Sequence, residues 1–331
     1  MRIRWAAAGI GAALVLAVTG CGGAANTPTT ASGGCLPVEI VATTSILGDV
    51  VRNVAGDAAR VEVLIPPGAD PHSFAPSASQ AAALRGAGLV VANGLGLEEG
   101  LHEVIEAAAA DGVTVVEAAS FVEALPFAAG EHEQDEDEAS GEHEDEGEGH
   151  EHGTLDPHIW TDPARMAQVA AGIGEALASA DPSCAAAYRT AAEAYAADLL
   201  ALDAEVEGIL AAVPAENRKL VTNHHTLGYF ADRYGFEVIG AVIPGGSTLA
   251  EPSPADLARL VETLRREGVR AVFAENTRSG GLVEALAAEL GEGVAVVSLF
   301  SDALGAPGSG ADTYIGMQRA NAELIAAALT P

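Results

Sequence analysis

From residue 38 onward, short continuously apolar runs alternate with longer stretches that place an apolar residue every three or four positions. The runs at 38–42, 61–65, 89–92 and 113–116 predict strands, and 46–54, 77–85 and 97–110 predict the helices between them. The same rhythm returns with strands at 220–222, 238–242, 269–274 and 294–299 and helices at 227–234, 255–266, 282–290 and 313–329. Strands that are apolar on both faces and alternate with helices belong to parallel sheets covered on each side. The expectation is an α/β protein of two lobes, each a small parallel sheet flanked by helices. Beyond this rhythm the two halves show no clear internal repeat.

Between them lies a helix at 164–177 and then a longer one. Asp181-Pro182 offers an N-cap and a proline suited to a first helical turn. Tyr188, Ala192, Tyr195, Leu199, Leu202, Val206, Ile209 and Val213 then recur at alternating steps of four and three, up to Pro214. One helix over 181–213, about 45 Å long at 1.5 Å per residue, would run along both lobes. The N-terminal lobe then covers 36–180 and the C-terminal lobe 214–331.

The first residues follow a different pattern. Arg2 and Arg4 precede an apolar run from 5 to 18 that is too short for a comfortable membrane span, and Val18-Thr19-Gly20-Cys21 follows. This reads as a signal peptide over 1–20 with a cleavage site resembling a bacterial lipobox, which implies lipidation of Cys21. Residues 21–35 form a small, polar, lipid-anchored tether, so the protein is expected outside the cytoplasm on the cell membrane. There the two remaining cysteines, Cys35 and Cys184, either pair with each other or are buried, inert thiols.

Composition narrows the functional classes. Apolar residues make up 49% of the 331 and aromatic residues only 4%, so the cores rest on Ala, Val and Leu. A formal net charge of -31 argues against nucleic acid and suits a protein that meets cations.

Candidate chemistry gathers at strand ends. Asp-Pro-His occurs as Asp70-Pro71-His72 and as Asp156-Pro157-His158, Asn223-His224-His225 follows a predicted strand, and Asp302 follows another. Open parallel sheets bind ligands beyond the carboxyl ends of their strands. Three imidazoles and one carboxylate suit a four-coordinate zinc site. His224 and His225 are adjacent and point to opposite sides of an extended chain, so only one of them faces such a site. Glu275 ends another predicted strand and is a reserve ligand or a partner to one. Asp70 and Asp156 either accept an imidazole N–H, which fixes the ring, or cap their own turns.

Four ordered segments carry a resemblance. They are Asp70-Pro71-His72-Ser73-Phe74-Ala75-Pro76-Ser77, Asp156-Pro157-His158-Ile159-Trp160-Thr161-Asp162-Pro163, His224-His225-Thr226-Leu227-Gly228-Tyr229-Phe230 and Ser301-Asp302-Ala303-Leu304-Gly305. Together they resemble the signature segments of the zinc/manganese class of substrate-binding proteins of ABC importers, across nearly the whole mature chain. The resemblance implies His72, His158, His224 and Asp302 as metal ligands, with His225 left in reserve. It also implies two similar α/β lobes joined by one long helix, and a membrane permease as partner. His225-Thr226-Leu227 departs from the more usual Asp-Ala-aromatic of the family. A monomer is expected, and whether a metallochaperone supplies the ion is left open.

Ligand chemistry favours zinc over manganese. Imidazole suits zinc, whereas manganese favours oxygen donors and six positions. Residues 131–152 add twelve acids and four histidines, His132, His143, His150 and His152, with no Lys or Arg. Such a run is a solvated loop whose imidazoles offer weak metal sites, and in the family such loops resemble a mark of zinc members. A manganese-delivering homologue and a zinc-storing or adhesive surface lipoprotein are the alternatives. A secreted zinc hydrolase ranks last. His102-Glu103-Val104-Ile105-Glu106 lacks the final histidine of a His-Glu-x-x-His motif, and four protein ligands leave no open position for water.

Overall fold

The computed structural model describes residues 38–127, 155–278, 280–291 and 293–331. The signal peptide, Cys21, the tether, Cys35 and the acidic 131–152 segment with its four histidines lie outside the described residues. The first half comprises β1 (Val38–Ala42), α1 (Ser45–Ala55), β2 (Ala59–Val63), α2 (Ala78–Gly86), β3 (Leu89–Ala92), α3 (His102–Ala110) and β4 (Val115–Glu117). Two helices follow, α4 (Pro163–Ala180) and α5 (Ala185–Leu210). The second half comprises β5 (Lys219–Thr222), α6 (Gly228–Tyr234), β6 (Glu237–Ala241), α7 (Pro254–Glu267), β7 (Ala271–Glu275), α8 (Gly281–Leu290), β8 (Ala295–Leu299) and α9 (Tyr314–Leu329).

Among the described residues the strands form two four-stranded parallel sheets, ordered β2-β1-β3-β4 and β6-β5-β7-β8. In each half the first strand pairs with both the second and the third, so the sheets repeat one topology without repeating a sequence. Every crossover returns the chain to the same end of its sheet. The loops after the strands therefore gather at one edge of each lobe, where His72, His224, Glu275 and Asp302 lie.

Local sequence explains the helix starts. The Thr44 hydroxyl accepts the Leu47 N–H at 3.2 Å ahead of α1, and the Asp162 carboxylate accepts the Ala164 and Arg165 N–H groups ahead of α4. Pro163 occupies the first turn of α4, and Pro254 that of α7, where a missing N–H costs nothing. The expected cap at Asp181-Pro182 is different in the structure. Asp181 ends α4, with its N–H on the Leu177 carbonyl at 2.8 Å, and its carboxylate accepts the Ser183 N–H at 3.1 Å. That local bond closes a turn, so α5 starts only at Ala185. The helix has 26 residues, about 39 Å by its rise, and stops at Leu210 ahead of Pro214. Cys184, just before α5, is disulfide-bonded.

Helix α5 buries Tyr188, Ala192, Tyr195, Leu199, Leu202, Val206 and Leu210. It packs on α1 and α4 from one half and on α9 from the other. Asp203 on the same face takes the Arg233 guanidinium and accepts the Tyr234 hydroxyl at 3.0 Å, which ties α5 to α6. One apolar cluster consequently includes Ile40 and Val91 of the first sheet, Leu199 of α5, Phe273 and Leu299 of the second sheet, and Ile325 of α9. The lobes share a core instead of meeting across a linker.

A shared core has a measurable consequence. Leu199 is fully buried, so Leu199→Ala should destabilise the protein by about 2–5 kcal/mol. Guanidinium unfolding followed by circular dichroism and by tryptophan fluorescence should then shift as one transition. Two separated transitions would show that the lobes unfold independently.

Candidate metal centre

The site begins with four loops that leave strands or helices as rigid turns. After β2, the Asp70 carboxylate accepts the His72 N–H at 3.0 Å and the Ser73 hydroxyl at 2.9 Å, which fixes the Asp-Pro-His turn. The second Asp-Pro-His repeats the backbone bond, with the His158 N–H on Asp156 Oδ1 at 2.9 Å. After β5, the His224 N–H bonds Glu275 Oε1 at 3.2 Å, and Thr222 Oγ1 donates to the His224 carbonyl at 2.6 Å. Following β8, Thr226 Oγ1 donates to Asp302 Oδ1 at 3.2 Å. His72, His158, His224, Glu275 and Asp302 are all buried.

The rings converge through their Nε2 atoms. His72 Nε2 lies 3.4 Å from His158 Nε2, which lies 3.1 Å from His224 Nε2. His224 Nε2 lies 3.8 Å from Asp302 Oδ2. Donors about 2.0–2.1 Å from one tetrahedral ion sit about 3.3 Å apart, and the two imidazole pairs fall on either side of that value. His72, His158 and His224 form one group that could hold an ion, and His224, Glu275 and Asp302 form another that shares His224.

Hydrogen bonding at the far side of each ring decides what the near side offers. His158 Nδ1 is 2.7 Å from Asp156 Oδ1, and His224 Nδ1 is 2.5 Å from Glu275 Oε1. A carboxylate at Nδ1 takes an N–H there, which leaves a lone pair at Nε2. Two lone pairs then face each other in a space closed to water. Asp302 Oδ2 is buried with no hydrogen-bond partner. Buried polar atoms are rarely left so. Inward lone pairs and an orphaned carboxylate oxygen together fit a cation.

The charges respond to this crowding. Burial pushes His158 below the ordinary imidazole range, in spite of Asp156 beside it. Burial acts on His224 in the same direction, but the Glu275 and Asp302 carboxylates outweigh it and hold this ring up to about 9. Asp302 is raised by burial, with Glu275 adding to the effect. Burial also opposes ionisation of Glu275, yet His224 and Asn223 hold it below the usual range. A proton on His224 Nε2 can be shared with the His158 lone pair at 3.1 Å, so a proton is the smallest cation this arrangement accommodates.

Further residues assemble the site. Buried Glu98 accepts the Thr43 hydroxyl at 2.5 Å and the Asn93 N–H at 2.7 Å, and Asn93 Nδ2 holds the Pro157 carbonyl at 2.8 Å beside His158. Trp160 Nε1 donates to the Ser301 carbonyl at 2.6 Å, and Tyr314 and Gln318 of α9 both donate to the Trp160 carbonyl at 2.7 Å. Gly228 is required because a Cβ there would collide with Asp156 Oδ2.

The expected residues fare differently. The structure brings His72, His158 and His224 together with Asp302 beside them, and Asp156 meets an imidazole as one of its two foreseen roles. Asp70 takes the other role and caps its turn. It does not meet the His72 ring, whose Nδ1 faces Glu99 Oε1 at 3.6 Å instead. His225 stands outside both groups, half-buried, with its N–H on the Gly245 carbonyl at 3.1 Å. Glu98, Glu99 and Gln318 carried no periodic or motif signal; Trp160 and Tyr229 lie within recognised segments, but nothing in the sequence gave them partners.

Comparison with known proteins places the whole chain in a family. Residues 40–328 match the ZnuA family, described as the periplasmic component A of the zinc-uptake complex. The manganese-binding lipoprotein MntA of Halalkalibacterium halodurans is 32% identical over 317 residues, covering 96% of each chain. The zinc-binding protein TroA of Treponema pallidum is 32% identical over 294 residues, covering 88% of each. The solved structure of periplasmic zinc-binding TroA aligns with a TM-score of 0.76 at 30% identity, over 89% of this chain and 100% of TroA. A secreted hydrolase is thereby set aside, since these are solute-binding proteins and not enzymes. The chain belongs to the ZnuA family of metal-binding substrate-binding proteins, which bind divalent ions and work with an ABC permease.

Proposed function

We propose that this protein captures zinc outside the cytoplasm through His72, His158, His224 and Asp302 and delivers it to its permease. The observation that carries the reading is the donor set: three buried imidazole Nε2 atoms and a single unpartnered carboxylate oxygen. Glu275 is already committed, with Oε1 on His224 and Oε2 accepting Asn223 Nδ2 at 3.1 Å. Three nitrogens and one oxygen suit a four-coordinate borderline ion. Lipidation at Cys21 belongs to the same proposal, as does weak collection of zinc by the four histidines of 131–152.

A manganese-delivering role is the second reading. MntA, which matches 96% of this chain, is named as manganese-binding, and Glu275 is a second carboxylate at the site. Were Glu275 to turn from His224 to the ion, the oxygen share would rise in the direction manganese favours. Equal amounts of zinc and manganese offered together, followed by desalting and metal counting, separate the two. One zinc per chain is expected, and retained manganese would overturn the zinc assignment.

Two further outcomes test the ligand set. Replacing His72, His158, His224 or Asp302 with Ala should each weaken zinc binding more than Asp156→Asn, for which a loss of about 10–100-fold is expected. Isothermal titration with a competing chelator measures this, and unchanged affinity removes that residue from the set. Acid should also release the ion, because the metal needs the deprotonated ring. With His224 held up to about 9, binding displaces a proton below that pH. Affinity should rise about tenfold per pH unit toward that value and then level off. An affinity independent of pH between about 6 and 8 would contradict proton displacement.

A further inference from the structure

The three imidazoles are not braced alike. Asp156 and Glu275, the Nδ1 partners of His158 and His224, each have side chains only 2% exposed. Glu99, which faces His72 Nδ1, has a side chain 39% exposed and stands 3.6 Å away, beyond hydrogen-bond range. The same Glu99 Oε1 accepts the Ser247 hydroxyl at 2.5 Å. Ser247 lies in the loop after β6, so this contact crosses from one lobe to the other.

A second crossing contact sits beside the first. Thr248 Oγ1 donates to Asp70 Oδ2 at 2.7 Å, and Asp70 is the residue that caps the His72 backbone. Arg278 lies 3.6 Å from the same Asp70 oxygen and donates to the Thr248 carbonyl. Two consecutive residues of one loop thus hold the two carboxylates that surround His72, one at its backbone and one at its ring. Among the described residues no such cross-lobe loop supports Asp156 or Glu275 through its carboxylate: the first bonds within its own turn, and the second within its own sheet.

We infer that Ser247 and Glu99 form a latch that sets how long the ion stays by positioning His72, the first ligand to leave. The inference rests on His72 being a ligand. A carboxylate that closes on Nδ1–H fixes the ring and strengthens its other nitrogen as a donor. Ser247 holds the Glu99 oxygen that must make that approach. If the lobes part at this edge, Ser247 leaves Glu99 and Thr248 leaves Asp70 together. His72 then loses the carboxylate held beside its ring and the cross-lobe brace on Asp70, while the Nδ1 partners of His158 and His224 stay buried in place. Exit by a single loosened ligand needs no opening of the shared core.

The test is zinc dissociation from the full protein, followed by stopped flow with excess chelator. Glu99→Gln and Ser247→Ala should each speed release by about tenfold, with the melting temperature of the zinc-free protein unchanged. Ser247→Thr, which keeps the hydroxyl, should restore slow release. The double variant should release no faster than Glu99→Gln alone, because both changes remove one interaction. Unchanged release in either single variant, or effects that multiply in the double variant, would overturn the latch. His72→Ala separates the two failures. If it retains zinc affinity, the ligand assignment falls and the latch with it. If it loses affinity while Glu99→Gln and Ser247→Ala release zinc at the original rate, only the latch falls.

Discussion

Two ring nitrogens, His158 Nε2 and His224 Nε2, face each other across 3.1 Å of buried space, and the chemistry of the molecule follows from that opposition. Each ring gives its other nitrogen to a carboxylate, Asp156 or Glu275, so each directs a lone pair inward. Bulk water does not reach these rings to relieve the repulsion, and Asp302 adds an oxygen with no partner. A positive charge placed among them satisfies all of these groups at once. A proton does so in part, and the Glu275 and Asp302 carboxylates hold one on His224 up to about 9 against the cost of burial. A divalent cation does so more completely, since it meets several lone pairs at once.

Holding like groups this close requires a scaffold that does not yield. The apolar cluster running through both sheets and α5 supplies it. Around the site, α9 crosses back to the first lobe, where Tyr314 and Gln318 hold the Trp160 carbonyl, while the Trp160 indole holds the loop of Asp302. Tyr229 ties α6 to the Asp156 carbonyl at 2.7 Å and to the Leu125 N–H at 3.0 Å. These bonds link the lobes at the ligand loops themselves. Wide hinge opening would break the core and these ties together.

Most of this architecture was legible because apolar runs and turn residues carry it. The strand positions follow from β-branched runs, and the gathering of His72, His224, Glu275 and Asp302 follows from their places at strand ends. The identical order of the two sheets was not legible, since topology is set by packing and not by any repeated residue. Asp181 misled because Asp-Pro starts turns as readily as helices, and only the Ser183 N–H reveals which has formed. Asp156 and Asp70 share one tripeptide pattern yet do different work. Their difference comes from Thr248 and Arg278 on the opposite lobe, which claim Asp70. Glu99 carries no motif at all, and its place beside His72 depends on where β3 ends relative to β2.

X-ray absorption at the zinc edge of the loaded protein counts the atoms around the ion. Four light-atom neighbours at about 2.0–2.1 Å are expected, with outer-shell scattering from three imidazole rings. A shell of five or six neighbours, or scattering from fewer than three rings, would contradict it.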